Sequence, residues 1–401
     1  MYDAIVIGAR CAGSPTAMLL ARKGYRVLLV DKATFPSDTI STHYLHQISI
    51  ARLQRWGLLD KVLASNCPPI LKLVFDFGPF ALTGTAPAVD GITAAYSIRR
   101  TILDKILVDA AVAAGVEFRD AFSVEALVSA DDHITGIRGH NMGGAPVTET
   151  ARIVIGADGR HSLVAWTVQA PEYHTYPPST CLYYAYWSGV PTDALEYYPR
   201  QGLSIVVFPT NDGLTCISTS CPHAALRQFR TDIEGHFWQQ LERVPTFAER
   251  VRAGMREERF RGTGDLPHFF RKPYGPGWAL VGDAGYHKDP LGGEGITDAF
   301  RDAELLAEAI DAGFSGRRSL EVALADYEQQ RNEAAMPVSE LVRQFASLTL
   351  PPPEQLQFFA VLRENPTETS RLFGTVAQVV SVSEFFAPEN MRRIIEGQKL
   401  G

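Results

Sequence analysis

The sequence predicts an α/β protein in which a parallel-sheet unit is interleaved with a mixed β-sheet domain and followed by a helical region. Three observations support this class. The chain opens on an apolar strand, a glycine turn and a helix. A second glycine-rich turn follows an apolar strand at residues 279–281. Between them lies an aromatic stretch with the alternation and turn residues of antiparallel strands.

The N-terminal unit has the pattern of a dinucleotide site. Its first strand, residues 4–7, ends at Gly8, and a helix is predicted to begin near Cys11. A second strand, residues 26–30, leads to Asp31. A helix amino terminus offers free N–H groups and a positive dipole end to a pyrophosphate. An acidic residue roughly twenty positions further on suits the ribose hydroxyls, which is the role predicted for Asp31.

Arg10 stands where the usual dinucleotide fingerprint has its middle glycine. A side chain there hinders close approach of the backbone unless it points away from the phosphates. The guanidinium of Arg10 is then free to reach a phosphate or a bound reductant.

Two further motifs complete the pattern. Residues 155–162 read Ile-Gly-Ala-Asp-Gly-Arg-His-Ser, and Gly282-Asp283 precedes the loop 290–295. In this order, the three motifs resemble the group A flavoprotein monooxygenases, the FAD-dependent enzymes related to p-hydroxybenzoate hydroxylase. The resemblance covers roughly residues 1–335.

The resemblance implies a discontinuous organisation. A Rossmann-like FAD-binding domain is expected from residues 1–70, 98–175 and 270–335. A substrate-binding β-sheet domain is expected from residues 71–97 and 176–269. Residues 336–401 are expected to be helical, with a break at the prolines 351–353.

The resemblance also implies which residues hold FAD. In the family, the residue matching Asp283 contacts the ribityl chain, and the one matching Arg100 touches FAD near its phosphates. The glycines of residues 290–295 let the backbone lie flat against a ring. The helix after them, from about Ile296, points its positive end at the pyrimidine edge of the flavin. The predicted cofactor-binding residues are Gly8, Arg10, Cys11, Ala12, Gly13, Asp31, Lys32, Arg100, Asp158, Gly282, Asp283, Pro290, Gly292, Gly293, Gly295 and Ile296.

The reductant is less defined than the flavin. The middle motif resembles the stretch that supports both FAD and the pyridine nucleotide, but Ala165 stands where the family usually has a basic residue. The chain has no second dinucleotide fingerprint, because residues 139–144 have no phosphate-loop spacing and predict a hairpin tip. NAD(P)H is the expected reductant, and a separate flavin reductase that supplies reduced flavin stays an alternative.

An aromatic sheet is the predicted substrate wall. Residues 182–187 are extended and aromatic-rich, and residues 203–209 and 214–220 flank a turn at 211–213 that predicts a hairpin. Strand alternation sends about half of these side chains to the pocket side. The predicted substrate contacts are Tyr184, Tyr186 and Phe208. His43 is the one candidate catalytic residue, and a structural histidine is an equally open interpretation of it.

The implied activity is hydroxylation of a hydrophobic or aromatic small molecule by O₂ through a C4a-(hydro)peroxyflavin, of the kind used in secondary metabolism. Arg10, Thr42 and residues 286–290 also resemble flavin-dependent reductases of the geranylgeranyl-reductase type. A flavin-dependent halogenase is disfavoured, because Tyr186 and Ser188 stand at the tryptophan positions of the halogenase motif W-x-W-x-I-P. A non-catalytic flavin-binding sensor or scaffold is disfavoured by the retained glycine loop and aromatic sheet.

Composition excludes other classes. The 401 residues carry 38 Lys and Arg against 45 Asp and Glu, a net charge of −7, which argues against nucleic-acid partners and a basic membrane surface. No apolar run is long enough for a membrane span, and a strand from residue 2 leaves no room for a signal peptide. The five cysteines show no CxxC spacing and no metal site is expected, which predicts reduced thiols in a cytoplasmic protein.

Overall fold

The computed structural model describes residues 1–397, so the last four residues of the predicted helical region lie outside the described part of the chain. The strands are β1 (Tyr2–Ile7), β2 (Val27–Val30), β3 (Tyr44–Leu45), β4 (Lys72–Asp76), β5 (Ala81–Gly84), β6 (Tyr96–Ser97), β7 (Glu117–Arg119), β8 (Phe122–Ala130), β9 (His133–Asn141), β10 (Val147–Gly156), β11 (Glu172–Tyr176), β12 (Thr180–Ser188), β13 (Ala194–Arg200), β14 (Leu203–Pro209), β15 (Thr215–Pro222), β16 (Met255–Arg256), β17 (Arg261–Thr263), β18 (His268–Arg271), β19 (Tyr274–Gly275), β20 (Trp278–Leu280) and β21 (Tyr286–His287). The α-helices are α1 (Gly13–Arg22), α2 (Gln47–Arg55), α3 (Leu59–Leu63), α4 (Arg100–Ala113), α5 (Leu163–Thr167), α6 (Leu226–Phe229), α7 (Ile233–Leu241), α8 (Pro245–Arg252), α9 (Gly295–Phe314), α10 (Leu320–Ala346), α11 (Pro353–Leu362), α12 (Pro366–Val376), α13 (Val382–Phe385) and α14 (Pro388–Gly397).

The first sheet confirms the predicted α/β class. Its strands follow the order β19-β20-β10-β1-β2-β7, and β20, β10, β1, β2 and β7 run parallel. Both faces are covered, which explains why β1 and β2 are almost continuously apolar. Helices α1, α4 and α9 pack on one face, and α9 buries Ala299, Phe300 and Ala303 at helical spacing.

The glycine turn after β1 differs slightly from the sequence prediction. Helix α1 begins at Gly13 rather than near Cys11, although the amide of Ser14 already donates to the carbonyl of Arg10 at 3.0 Å. A Cβ at Gly13 would lie 1.8 Å from the carbonyl oxygen of Gly8. The close crossing of strand and helix therefore requires glycine at this position.

A meander extends the first sheet. Strand β9 pairs antiparallel with β8 and with the first half of β10, whose second half belongs to the parallel sheet. The predicted hairpin tip at 139–144 is present as the turn between β9 and β10, but it begins after Asn141, because Gly139 lies inside β9 opposite Val124 and Val147. A Cβ at Gly139 would meet the Phe122 ring at 2.6 Å, so this glycine serves close packing instead of a turn.

The second sheet is mixed, as predicted. It follows the order β16-β12-β15-β14-β13-β4-β5, with β4 parallel to β13 and its other neighbours antiparallel. The predicted hairpin is present as β14 and β15. Side chains alternate along β12. Tyr183 and Trp187 point toward α6, α7 and α8, while Tyr184 and Tyr186 point to the opposite face, where they pack with Tyr44.

The C-terminal helices α11 to α14 pack against the β4 and β5 edge of the second sheet, where aromatic side chains form their own core. Helix α10 runs along α9 and ends before the proline break that the sequence predicts. All five cysteines are buried free thiols. Among residues 1–397, no helix combines the length and the apolar character needed to cross a bilayer.

Candidate active site

The predicted motifs converge on one edge of the first sheet. Strands β1, β2, β10 and β20 run parallel, so the residues that follow their carboxyl ends meet in one cleft of about 650 Å³. Fourteen of the sixteen predicted cofactor-binding residues line this cleft: Gly8, Arg10, Cys11, Ala12, Asp31, Lys32, Arg100, Asp158, Gly282, Asp283, Pro290, Gly293, Gly295 and Ile296. Gly13 lies behind the turn, and Gly292 lines a neighbouring cavity.

A buried charge cluster lies beside the amino end of α1. The carboxylate of Asp104 is fully buried and pairs with Nη1 of Arg10 at 2.5 Å and with Nε of Arg100 at 2.9 Å. Arg10 also donates to the hydroxyl of Ser37 at 3.0 Å. The thiol of Cys11 donates to Asp104 at 3.3 Å. Two guanidiniums share one carboxylate, so this cluster keeps a net positive charge that suits a pyrophosphate.

Asp31 has the position predicted for a ribose-binding acid, and it also shapes the turn. Its Oδ2 accepts from the amide of Ala9 at 2.7 Å, and its Oδ1 accepts from the amide of Ala33 at 2.8 Å. A carboxylate has about four acceptor positions, so two of them remain for a ligand that enters the cleft. Ribose contact by Asp31 remains a prediction.

Two other carboxylates face the cleft with acceptor capacity to spare. Oδ2 of Asp158 accepts from the amide of Leu163 at 2.7 Å, while its buried Oδ1 has no hydrogen-bond partner among the described residues. Burial raises the pKa of Asp158. Asp283 is exposed to the cleft and makes no hydrogen bond or ion pair within residues 1–397. Both acids suit a ligand rich in hydroxyl donors.

His43 is held by the protein itself. Its Nδ1 lies 2.8 Å from the hydroxyl of Ser97, and its Nε2 lies 2.9 Å from the hydroxyl of Tyr186. Burial, together with Arg99 and Arg100, lowers the pKa of His43 to about 3, so the ring is neutral at pH 7. Both ring nitrogens are engaged, and the His43 backbone itself is left-handed, with φ 42°. A catalytic role for it remains a prediction.

The three predicted substrate residues occupy different places. Phe208 lines a second, smaller cavity next to the cleft. The hydroxyl of Tyr184 accepts from the amide of Ser41 at 3.3 Å, and Tyr186 stacks on His43. Tyr184 and Tyr186 therefore support the 41–44 segment, and Phe208 contributes a wall to the cavity.

The second cavity has a volume of about 40 Å³ and mostly apolar walls from three parts of the chain. The second sheet contributes Leu182, Val206 and Phe208, helices α10 and α12 contribute Phe345 and Val376, and the 290–293 loop forms the third side. The cavity shares five wall residues with the cleft: Thr42, Tyr44, Leu182, Pro290 and Gly293. It therefore opens onto the glycine loop before α9, where the sequence predicts the flavin ring.

Sequence reasoning missed two polar residues in this cavity, Tyr44 and His46, which are 3% and 2% exposed. Burial raises the pKa of Tyr44 and lowers that of His46 to about 4. Their ring centroids lie 4.8 Å apart at right angles. The alternation Thr42, Tyr44, His46 is the sequence signal that points these side chains to one side.

A second missed cluster lies behind the glycine loop. The ammonium of Lys288 lies 2.7 Å from Asp298 and 3.3 Å from Glu294, and all three side chains are buried. Burial alone would raise the pKa of Asp298, but Lys288 and Arg301 lower it to about 2. Burial raises the pKa of Glu294 to about 7 despite the attraction of Lys288. Gln378 donates to Asp298 at 2.8 Å, which ties α12 to α9.

These features fit FAD. The glycines at 8 and 13 allow the strand-to-helix crossing beside the cleft, since a Cβ at either position would collide with backbone oxygen of Ala157 or Gly8, and the buried Oδ1 of Asp158 lacks a donor. A cleft at the carboxyl end of a parallel sheet, with an apolar cavity beside it, is typical of enzymes that bind a dinucleotide cofactor. Residues 1–342 match the FAD binding domain family, and the chain belongs to that family. It is an FAD-dependent oxidoreductase, which confirms the predicted cofactor and the relationship to the group A flavoprotein monooxygenases.

Individual relatives carry three different activities. The chain is 28% identical to digeranylgeranylglycerophospholipid reductase of Methanosarcina acetivorans, over 83% of this chain and 81% of that protein. It is 26% identical to kynurenine 3-monooxygenase of Salinispora tropica, over 82% and 76% respectively. The structure of the myxobacterial chondrochloren halogenase superposes with a TM-score of 0.80 at 22% identity, over 100% of this chain and 96% of that one. Fold similarity alone therefore does not select the reaction.

Proposed function

We propose that this protein is an NAD(P)H- and O₂-dependent monooxygenase of a small hydrophobic or aromatic molecule. The observation that carries the proposal is the mostly apolar cavity that opens onto the 290–293 loop, where the flavin ring is predicted. Bound and reduced, FAD supplies the activation of O₂. The reaction consumes one NAD(P)H, one O₂ and one proton, places one oxygen atom on the substrate and releases water.

The chain's own residues would bind FAD, orient the substrate and exclude water. Asp31, Asp158 and Asp283 would hold hydroxyl groups of FAD, and the Arg10, Arg100 and Asp104 cluster would face its pyrophosphate. The second sheet and the C-terminal helices close the substrate side with apolar walls. Exclusion of water protects a reactive oxygen-transfer step from unproductive decay.

The cleft also limits how NAD(P)H can deliver electrons to the flavin. The sequence carries one dinucleotide fingerprint, and the guanidinium of Arg10 is engaged by Asp104 and Ser37. NAD(P)H would thus reach the flavin transiently at the cleft mouth. A separate reductase that delivers reduced flavin is the second arrangement compatible with this site.

A reductase of isoprenoid double bonds is the alternative that the comparisons favour most, because the 28% identical relative carries that activity. The cavity of about 40 Å³ alone holds a few water molecules, and neither an isoprenoid chain nor a whole aromatic ring fits in it without the adjoining cleft. Cavity size therefore does not separate the two reactions, and labelling of the product with ¹⁸O₂ does.

Reoxidation kinetics test the proposal before any substrate is known. The holoenzyme would be reduced without oxygen and then mixed with O₂ in a stopped-flow spectrophotometer. We expect a transient species whose spectrum differs from both reduced and oxidised flavin, because apolar walls beside the flavin exclude water and retard its decay. Direct single-step reoxidation, with and without saturating aromatic ligand, would contradict oxygen transfer.

A further inference from the structure

Two cysteines lie directly opposite each other at one end of the second sheet. Cys181 is the second residue of β12, Cys221 is the last but one of β15, and the strand register pairs them. Both are free thiols, and their Sγ atoms lie 3.0 Å apart. Opposed residues of antiparallel strands have Cα atoms about 4.5–5.5 Å apart, within the range of about 4.4–6.8 Å that a disulfide spans. The register therefore permits a covalent bond between these two thiols.

The other three cysteines have different surroundings. Cys216 points to the opposite face of β15 and packs with Tyr184, while Cys11 and Cys67 belong to the core beside the first sheet. Burial raises the pKa of all three thiols, that of Cys67 to about 12. The thiolate is the reactive form of cysteine, so these three residues are expected to stay inert.

The two thiols of the pair are not equivalent. Hydrogen bonds from the Cys181 thiol and from Gln240 lower the pKa of Cys221, and the same contact raises the pKa of Cys181. Cys221 is 5% exposed and Cys181 is 0% exposed. Their neighbours Ser179 and Pro222 are exposed at this end of the sheet. Cys221 is therefore the thiol that a small oxidant from solvent meets first, and it is also the more readily ionised one.

We propose that Cys181 and Cys221 are a redox-active pair that hydrogen peroxide converts into an intramolecular disulfide. The thiolate of Cys221 attacks one peroxide oxygen, the O–O bond breaks, and the departing hydroxide takes up the proton that the thiol released. The sulfur of Cys181 then attacks the sulfenic acid on Cys221, the S–S bond forms, and a second water leaves. Two thiols and one hydrogen peroxide give one disulfide and two water molecules.

The cross-link would restrain the strand that supports the glycine loop and the second cavity. Next to Cys181, Thr180 donates to Oδ2 of Asp289 at 2.5 Å, and Oδ1 of Asp289 accepts from the amide of Leu291 at 3.1 Å. On the other side of Cys181, Leu182 lines both the cavity and the cleft. The two cysteines are 40 residues apart, and the enclosed segment contains β13 and β14, which contribute walls to the cavity.

Peptide mapping of peroxide-treated holoenzyme tests the proposal. The protein, with its FAD oxidised, would be treated with a small molar excess of hydrogen peroxide, and its remaining thiols would be blocked in denaturant with N-ethylmaleimide. We expect the five free thiols to fall by the two of the pair, to three. Mass spectrometry without reduction should find the Cys181 and Cys221 peptides joined, two hydrogen atoms lighter than the separate reduced peptides. Dithiothreitol should restore all five thiols.

Single variants test the order of the two steps. Cys181→Ser should stop at a sulfenic acid on Cys221 that dimedone traps, whereas Cys221→Ser should form neither a sulfenic acid nor a cross-link. Cys216→Ser is the matched control, since it lies on the same strand but on the other face, and it should form the cross-link normally. Five free thiols in peroxide-treated parent protein, or a bond between other cysteines or between two chains, would overturn the proposal.

Urea unfolding tests the restraint on the sheet. The oxidised parent should unfold at a higher urea concentration than the reduced parent, because a cross-link that closes a long segment lowers the entropy of the unfolded chain. Peroxide should leave the midpoint of Cys221→Ser unchanged. Equal midpoints for the reduced parent and the cross-linked parent would contradict the restraint. None of these measurements uses O₂ or NAD(P)H, so they stand apart from the proposed monooxygenase reaction.

Discussion

Asp283→Ala protein is expected to purify largely without FAD. Asp283 follows β20 at the cleft edge and makes no hydrogen bond or ion pair within the described residues, although it lies close enough to Arg100 to interact electrostatically. A carboxylate that accepts from ligand hydroxyls contributes about 1.5–3 kcal/mol per hydrogen bond. Loss of two such bonds corresponds to at least about a hundredfold weaker binding. Flavin absorbance per chain after gel filtration measures the result.

Folding should survive this change, because no described group forms a hydrogen bond or an ion pair with the Asp283 side chain and its interaction with Arg100 is only a longer-range attraction. The thermal unfolding of apo Asp283→Ala should therefore match that of apo parent protein. Asp193→Ala is the control, since Asp193 lies on the surface and pairs only with Lys72. Full FAD occupancy in Asp283→Ala would mean that the ribityl chain does not reach the residue after β20.

Glu294→Gln should change the pH dependence of stability. Folding raises the pKa of Glu294 from 4.5 to about 7 through burial, so folding favours its protonated form. Stability from this group is complete below pH 4.5 and is lost as the pH rises through about 7. A shift of this size corresponds to about 3 kcal/mol. The Gln variant should gain about that much on its parent between pH 5 and pH 8.

Urea unfolding of parent and variant holoenzyme at several pH values measures this difference. Lys288, Asp298 and Arg301 are the charges packed around Glu294, and Asp298, with its pKa lowered to about 2, stays ionised throughout the range. Buried histidines with lowered pKa values cancel because they are common to both proteins. Glu308→Gln, an exposed site on α9, should run parallel to the parent. A parallel curve for Glu294→Gln would contradict the buried protonated acid.

Most of the fold could be predicted from local sequence patterns. The strand, turn and helix from Tyr2 to Arg22 and the β14–β15 hairpin are formed by residues close in sequence, so periodicity and turn chemistry predict them. The hairpin between β9 and β10 was predicted, but its tip was placed too early, because Gly139 lies inside β9. Glycine in a turn and glycine under a packed ring look alike in sequence, and only the Phe122 contact distinguishes them.

The polar end of the second cavity depends on contacts that no local pattern records. Strand β3 is two residues long and is defined by its pairing with β6, and His46 meets the Gly292 carbonyl across 246 residues. The burial that neutralises His46 comes from the second sheet and the glycine loop together. Similarly, Asp104 lies four residues after Arg100 on one helix, so the sequence places these two side chains together. The ion pair of Asp104 with Arg10 spans 94 residues, and no local pattern predicts it.

Isotope labelling tests the central claim most directly. The first compound that the holoenzyme turns over would be incubated with NAD(P)H and ¹⁸O₂, and the product mass would be compared with that formed under ¹⁶O₂. A monooxygenase places one labelled oxygen atom in each product molecule and consumes one NAD(P)H for it. A product that gains two hydrogen atoms and no label, at the same rate without oxygen, would contradict the account and establish a reductase.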